Sequence, residues 1–466
     1  MTKLGIVITD GVGYRNFVLS DFLSKSKTQF NEVLIFSFIP KEVFNEQDEV
    51  EIVELDAQNE YFHQWFVRKY KEIAHLRLNS ENNFGIQDNL KKNNNRNISP
   101  RGLATRLIYF LTFFLHSESV IQSLERIQFR FIRRQRAHKV FRQVLDENPV
   151  DTLLFTHQRP PYIAPLVAAA QENKVKTVAF IFSWDNLASK GRMAASFDYY
   201  MVWSDLMKRE LLMFYRRIQS EQISVVGTPQ FVPYTMNEYQ STKAKFLKKF
   251  SLDSKYPTIC YSCGDVSTSP NDPYYIEIII KAIENGILPK LNLLVRTAPA
   301  ESGDRFQNLK QRFPKIKWNH PSWNLIRKNH QESWSQRIPD ATDLMDLRAI
   351  LNYSDLNINM LSTMSLDFML HDKPVINPVM GSGENGLGND RRFLQYEHIK
   401  YLIQSNATKI AKTPGEVIEH IFYYLNGDSD QNNRKAFVDQ QIGVPLSQTS
   451  SKMVECIKFI NSCRDI

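Results

Sequence analysis

The chain has 466 residues, 42% of them hydrophobic, 12% aromatic and 23% charged, a balance that excludes a disordered, collagenous or coiled-coil protein and suggests about two to four packed domains. Lys and Arg number 58 against 50 Asp and Glu, so the net charge is +8 and an anionic partner is expected. Four cysteines are too few for a disulfide scaffold and fit a reducing cytosol, no signal peptide opens the sequence, and its longest apolar run, LIYFLTFFL at 107–115, falls short of the roughly 20 residues of a membrane span.

Residues 4–8 (LGIVI) read as a buried parallel strand that feeds Asp10-Gly-Val-Gly13, with Asn16 at the start of the next helix. The third glycine of a dinucleotide fingerprint is missing. Gly11 and Gly13 are therefore expected to permit close approach of substrate or of another domain, and Asp10 is a candidate base. Residues 32–38 and 49–55 read as strands, and the Asn-rich stretch 79–99 as a long mobile loop before helices over 103–146.

Charge concentrates in that helical stretch. Between Arg101 and Arg142 stand nine basic residues and two Glu, a net +7. Ile127, Phe129, Phe131, Ile132, Val140 and Phe141 interleave with the cations at helical spacing, directly after the apolar run. A basic amphipathic helix beside aromatic residues suits an anionic membrane surface; a buried helix with a solvated basic face fits the same pattern. Nucleic acid is not expected, because no recognition motif accompanies the charge.

Strand 151–155 leads to His157, a second candidate base or a structural histidine. Helix 163–172, strand 176–182, strand 199–203, helix 205–219 and strand 222–226 follow, the last ending in Gly227-Thr-Pro229. Strand 176–182 runs into Ser183-Trp184-Asp185-Asn186, with Lys190 and Gly191 beyond. Asp185 is positioned as a general base or as a helix cap, Lys190 as an anion contact, Trp184 as a stacking wall, and Asn186 as a further acceptor-side group with Asn16.

The second half repeats the alternation, with strands at 257–261, 291–296, from 317, 356–359 and 374–376 separated by helices. Two α/β halves of the doubly wound type create a cleft at the carboxyl ends of their strands. The expected layout is a first domain over 1–228 with a helical insert at 101–146, a linker at 229–253, a second domain over 254–425, and a helical tail over 426–466. Within the second domain, Ser362 and Thr363 follow a strand and open a helix, where amides and hydroxyls suit phosphate or simply cap the helix. Asp367 lies one turn further on, suited to ribose hydroxyls, and Arg296 ends a strand, suited to a pyrophosphate. Cys260 and Cys263 lie in or beside a strand, where i and i+3 face opposite sides, so small core residues are expected rather than a zinc site.

FSWDNLASKG (182–191), VVGTPQF (225–231), LLVRTAP (293–299) and DLNINMLSTMSLDFMLHDKPVI (355–376), with Tyr396-Glu-His398 and Arg434, together resemble bacterial GT-B glycosyltransferases of surface-polysaccharide assembly. They are distantly similar to CDP-glycerol transferase-like enzymes and UDP-N-acetylglucosamine 2-epimerases. The resemblance covers about residues 150–460. It departs where the family often has His-Pro shortly after the arginine; here Thr297-Ala298-Pro299 stands.

The resemblance implies a GT-B enzyme that binds a nucleotide-diphosphate sugar on Ser362, Thr363, Arg296 and Asp367 and transfers the sugar to a glycan or lipid-linked hydroxyl. No essential metal or cofactor is expected. A CDP-polyol phosphotransferase and a non-catalytic membrane-docking scaffold are the alternatives of the same fold. The expected location is cytoplasmic, with peripheral contact on the inner face of the plasma membrane.

Overall fold

In the computed structural model, residues 2–44, 49–95, 97–328, 330 and 332–463 are described. The chain folds as two compact units: Met1–Val232 with Ile326–Ile338 and Gln441–Ile466, and Pro233–Leu325 with Pro339–Gln440.

The first unit is built on seven parallel strands: β1 (Lys3–Ile8), β2 (Glu32–Ser37), β3 (Glu51–Glu54), β4 (Thr152–Phe155), β5 (Lys176–Phe180), β6 (Tyr199–Val202) and β7 (Ile223–Val225), in the order β3-β2-β1-β4-β5-β6-β7. The central strands are continuous apolar runs, as strands covered on both faces must be. Strand order reverses between β1 and β4, which pair in the register Leu4–Thr152 to Val7–Phe155. That pair is the topological switch point, where the loops leaving the carboxyl ends diverge and open a crevice.

Five helices stand between β3 and β4: Phe62–Leu78, Phe84–Lys92, Pro100–Phe114, Glu118–Ile132 and Arg136–Glu147. The first of them has no counterpart in the sequence reading. The expected mobile loop 79–99 instead contains Phe84–Lys92, because its asparagines act as caps: Asn83 accepts from the Ile86 amide at 3.0 Å, and Asn93 donates to the Asn89 carbonyl at 2.9 Å. The basic segment also divides differently from its expected single amphipathic face. Ile121, Leu124, Ile132, Phe141 and Leu145 turn inward, while all nine cations from Arg101 to Arg142 are exposed. The exposed apolar face belongs to Pro100–Phe114, where Leu103, Leu107, Phe110, Phe113 and Phe114 point outward and the inner face is built from Gly102, Ala104, Thr105, Ile108 and Thr112.

The second unit carries six parallel strands, β8 (Thr258–Ser262), β9 (Asn292–Arg296), β10 (Lys317–Asn319), β13 (Leu356–Ile358), β14 (Val375–Pro378) and β15 (Lys409–Ala411), in the order β10-β9-β8-β13-β14-β15. Two three-residue strands, β11 (Trp323–Leu325) and β12 (Arg337–Pro339), belong to neither of these sheets. Here the order reverses between β8 and β13. Cys260 and Cys263 are free and buried, and burial pushes the Cys260 thiol up to about 12.

The unit boundaries differ from the expected ones in three places. Residues 233–253 are not a separate linker, because helix Lys243–Phe250 buries Phe246 and Phe250 in the second unit, with Phe246 5.7 Å from Tyr353. Residues 326–338 belong to the first unit. The tail divides at Gln440: its helix Leu446–Ser462 joins the first unit, where the Ile460 carbonyl accepts from Lys176 Nζ at 2.7 Å.

Candidate functional site

At the switch point of the first sheet, Asp10 leaves β1 and His157 leaves β4. Asp10 is fully buried and caps helix Gly11–Phe17, its Oδ1 accepting from the amides of Val12 (3.0 Å) and Gly13 (2.9 Å). Its Oδ2 accepts from the Thr9 hydroxyl at 2.7 Å and from His157 Nδ1 at 3.0 Å. Burial alone would raise this carboxyl, but the hydrogen bond and charge of His157, the Gly13 amide and the Thr9 hydroxyl together hold it below the usual carboxylate range. The imidazole stacks on Phe182 with centroids 3.9 Å apart, and Trp334, itself 43% exposed, stands edge-on at 6.1 Å. With Nδ1 engaged by Asp10, the ring's orientation is set, and Nε2 has no hydrogen-bond partner among the described residues.

The expected roles of Gly11 and Gly13 change. A Cβ at Gly11 would overlap the Arg337 carbonyl, and one at Gly13 would meet Thr156 Oγ1 at 2.8 Å. What these glycines admit is therefore the protein's own chain within the first unit. Asn16 is buried with its Oδ1 unpartnered among the described residues. Asp185 is not drawn into the Asp10–His157 pair. It takes the ordinary position of a residue preceding a helix, Asn186–Ser189, its carboxylate 3.4 Å from Lys190 Nζ and accepting from Asn186 Nδ2 at 3.2 Å. Trp184 is buried, and Asn186 Oδ1 accepts from Gln158 Nε2 at 3.1 Å.

In the second unit, Ser362 and Thr363 lie at the switch-point loop after β13, half-buried. Leu361 takes left-handed backbone there (φ 51°), a conformation that costs a residue with a Cβ roughly 1–2 kcal/mol. The expected row of free amides is partly spent: Asn359 Oδ1 accepts from Ser362 N at 2.7 Å, and Ser362 Oγ from Met364 N at 3.2 Å. The Thr363 amide has no acceptor among the described residues, and its side chain makes no capping bond. Beneath this loop, Asn357, Asn359, Asn377 and Ser365 form a buried amide–hydroxyl network.

Two donor-side assignments meet a different arrangement. Arg296 is 5% exposed and donates to both Asp343 oxygens, at 2.9 and 3.0 Å, and to Asn319. Asp343 also accepts from Trp323 Nε1 at 2.9 Å. The guanidinium is thus engaged by a buried carboxylate, whose charge it must balance, instead of being free to clamp a pyrophosphate. Asp367 is 3% exposed and accepts from the Tyr234 hydroxyl, so it is engaged inside the unit rather than open to ribose.

Three features escaped the sequence reading. His320 at the end of β10 meets the Thr297 hydroxyl at 3.2 Å, so an imidazole from another strand stands beside the Thr-Ala-Pro departure. The glycine pattern GSGENGLGND (381–390) after β14 is fastened by Asn271, which bonds the Gly388 backbone and Asp390, and by Tyr275 on Asp390; its strand-then-glycines form was the available signal. Glu332 has its carboxyl raised by burial and by the charge of Asp10. Among the described residues no cluster of His, Cys, Asp and Glu is arranged to hold a metal, and no helix is long and apolar enough to cross a membrane.

No family model matches the sequence, and no curated protein does. Solved structures do match over essentially the full length. A putative UDP-N-acetylglucosamine 2-epimerase from Listeria monocytogenes has 10% identity and a TM-score of 0.56, covering 99% of this chain and 97% of its own. A glycosyltransferase from Rickettsia africae has 12% identity and a TM-score of 0.54, covering 100% of both chains. UDP-GlcNAc 2-epimerase from Neisseria meningitidis, bound to UDP-GlcNAc, has 9% identity and a TM-score of 0.54, covering 98% of this chain and 100% of its own. At such identities the likeness is one of fold: the chain is an α/β protein of the GT-B class with two Rossmann-like units, in agreement with the resemblance carried by its motifs.

Proposed function

We propose that this protein is a glycosyltransferase that moves a sugar from a nucleotide-diphosphate donor to a hydroxyl of a surface glycan or lipid-linked acceptor. The observation that carries this reading is the Asp10–His157 pair at the switch point of the first sheet. The buried carboxylate orients the imidazole through Nδ1, and Nε2 takes the proton of the acceptor hydroxyl as the new glycosidic bond forms. In the second unit, taken by itself, the hydroxyls of Ser362 and Thr363 and the Thr363 amide suit the phosphates of the donor, a charge-stabilising role that needs no metal or cofactor. The UDP-GlcNAc bound to the Neisseria structure supports a nucleotide sugar as donor.

The same reading puts the protein in the cytoplasm, working against the inner face of the plasma membrane. The outward face of helix Pro100–Phe114 carries Leu103, Leu107, Phe110 and Phe114 at one helical stripe, and the nine cations between Arg101 and Arg142 are exposed. Exposed apolar area and positive charge suit an anionic bilayer that holds a lipid-linked acceptor.

A thermal-shift screen against UDP-, GDP-, CDP- and CMP-sugars, followed by a transfer assay, tests the reading. A ligand at 100 times its dissociation constant adds about 2.7 kcal/mol to stability. Stabilisation by a nucleotide sugar with sugar appearing on the acceptor is expected. Epimerised donor without transfer, stabilisation by CDP-polyols alone, or no nucleotide binding would replace the reading with an epimerase, a CDP-polyol phosphotransferase or a docking scaffold.

A further inference from the structure

We propose that Trp334 is the platform against which the acceptor lies, and that the acceptor's terminal residue is therefore a pyranose ring and not a linear polyol. The assignment of that ring as acceptor rests on the transferase reading; the affinity of Trp334 for a pyranose does not.

Residues 326–338 belong to the first unit although the chain on either side of them, 233–325 and 339–440, belongs to the second. They form a strap closed by the Ile326 amide, which donates to the Gln336 carbonyl at 3.0 Å. The strap is fastened to the rest of the first unit along its length. Arg327 pairs with Glu54 at 2.8 Å, the His330 ring stands edge-on to Tyr162 at 5.5 Å, and the Arg337 carbonyl fills the space that a Cβ at Gly11 would need. Ser335 and Gln336 are fully buried, and Ser335 Oγ donates to the Glu332 carbonyl at 2.7 Å. Trp334 sits in the single turn Ser333–Gln336 between these anchors. The position of its backbone is thus set from both sides, before any ligand arrives.

The indole itself is left 43% exposed, whereas Trp184 and Trp203 of the same unit are buried. It stands 6.1 Å from the His157 imidazole, centroid to centroid, at an interplanar angle of 61°. Phe182 covers the imidazole by stacking at 3.9 Å, and Asp10 engages Nδ1. A hydroxyl bonded to Nε2 at about 2.8 Å brings the ring that bears it within contact range of the indole.

The chemistry of the platform selects the ligand. A pyranose carries hydroxyls around its rim and C–H groups on its faces. Laying one face on a large flat aromatic side chain removes apolar surface from water and leaves the rim hydroxyls free to hydrogen-bond. A linear polyol has no such face, and holding it in one conformation costs more freedom. Aromatic walls with a few placed polar groups are the usual make-up of small-molecule sites, and here the polar group is the imidazole that the reaction needs.

The test is a transfer assay at a saturating concentration of the donor, with methyl glycosides of glucose, galactose, mannose and N-acetylglucosamine as acceptors and with glycerol and ribitol as comparators. Saturation-transfer NMR of the full chain with the same compounds, with and without UDP, reads binding apart from transfer. Trp334→Ala is expected to raise the KM of a pyranoside acceptor about tenfold and to weaken its binding equally, with donor affinity and melting temperature unchanged. Trp334→Phe should recover most of that loss. An unchanged acceptor KM in Trp334→Ala, a fall in kcat alone, or preference for the polyols overturns the proposal and leaves transfer standing. The absence of pyranoside binding to the wild type overturns it as well. If pyranosides bind through Trp334 while no nucleotide sugar stabilises the protein, the platform stands and the transferase reading falls.

Discussion

Asp10 Oδ2 accepts a hydrogen bond from His157 Nδ1 at 3.0 Å although the residues stand 147 positions apart. Sheet order produces the encounter. β1 and β4 pair in parallel, so both chains leave at the same edge, and the five inserted helices that separate them in sequence do not separate them in space. Each residue alone is ambiguous, a cap and a buried histidine. Together they form an oriented acid–base pair at the place where doubly wound sheets bind ligands.

The pair predicts a specific kinetic pattern. His157→Ala should lower transfer by about 10²–10⁴, the usual worth of a general base, with donor affinity unchanged. Asp185→Ala should cost far less, since that carboxylate already faces Lys190 at 3.4 Å. Rate measurements with isothermal titration of the donor decide between them. A severe loss in Asp185→Ala beside a mild one in His157→Ala would move the base to Asp185.

Arg296 should behave as a structural group. Arg296→Ala leaves Asp343 buried and uncompensated, a change worth about 3–5 kcal/mol against folding. Arg296→Lys should not restore stability, because an ammonium cannot match a two-pronged contact with the carboxylate. Urea denaturation measures the loss. Full stability in Arg296→Ala with donor affinity lost would return the residue to the role of pyrophosphate clamp.

Asp367 and Tyr234 offer a matching test. Asp367→Ala removes the acceptor of a buried phenol hydroxyl and should destabilise by roughly 1–3 kcal/mol, whereas Tyr234→Phe removes that donor and leaves the carboxylate in place. If the tie to Tyr234 is the main duty of Asp367, nucleotide affinity in Asp367→Ala should remain near wild type once measured below its melting range. A ten- to hundredfold loss there would assign Asp367 to the ribose.

These two residues show where reading from sequence stops. The strand–loop–helix alternation and the residues at strand ends follow from local pattern, so the first sheet, five of the six strands of the second and the loops bearing Asp10, His157, Ser362 and Thr363 are legible in the sequence, while the three-residue β15 is not. Nor are partners. Arg296 at the end of β9 and Asp343 in helix Ala341–Tyr353 meet across 47 positions of sequence, and nothing local to LLVRTAP signals it. Phe84–Lys92 was hidden because asparagine serves equally in loops and in caps.

His371 predicts a pH dependence. Burial, and then the charges of Arg348 and Lys373, depress its imidazole from 6.5 to about 4. The ring is accordingly neutral in the fold, with Nδ1 2.8 Å from Asn352 Oδ1. The unfolded chain takes up the proton first as pH falls, so the stabilising contribution is complete above about 6.5 and is lost between about 6.5 and 4. The loss approaches roughly 3 kcal/mol at most, less for the part of the ring that solvent reaches. Urea midpoints at pH 7.5 and pH 5 should therefore differ more in wild type than in His371→Gln; equal differences would remove His371 as the cause.

The outward face of helix Pro100–Phe114 predicts membrane binding of two separable kinds. Leu107, Phe110 and Phe114 are 49%, 66% and 68% exposed, so replacing them with Ser removes apolar contact without emptying a core. Each buried aromatic or leucine side chain is worth about 1.5–3 kcal/mol, and each cation near an anionic leaflet about 1 kcal/mol. The triple Ser variant should therefore lose flotation with anionic vesicles at any salt concentration. Charge reversal at Arg126, Arg130 and Arg134, all exposed, should abolish the preference for anionic over neutral vesicles at low salt and matter less as screening grows. Both variants should keep wild-type melting temperatures, because none of the six side chains is buried. Equal recovery of wild type on neutral and anionic vesicles would remove the electrostatic half of the argument. Undiminished flotation of the triple Ser variant would remove the apolar half and leave the stripe as a surface for something other than lipid.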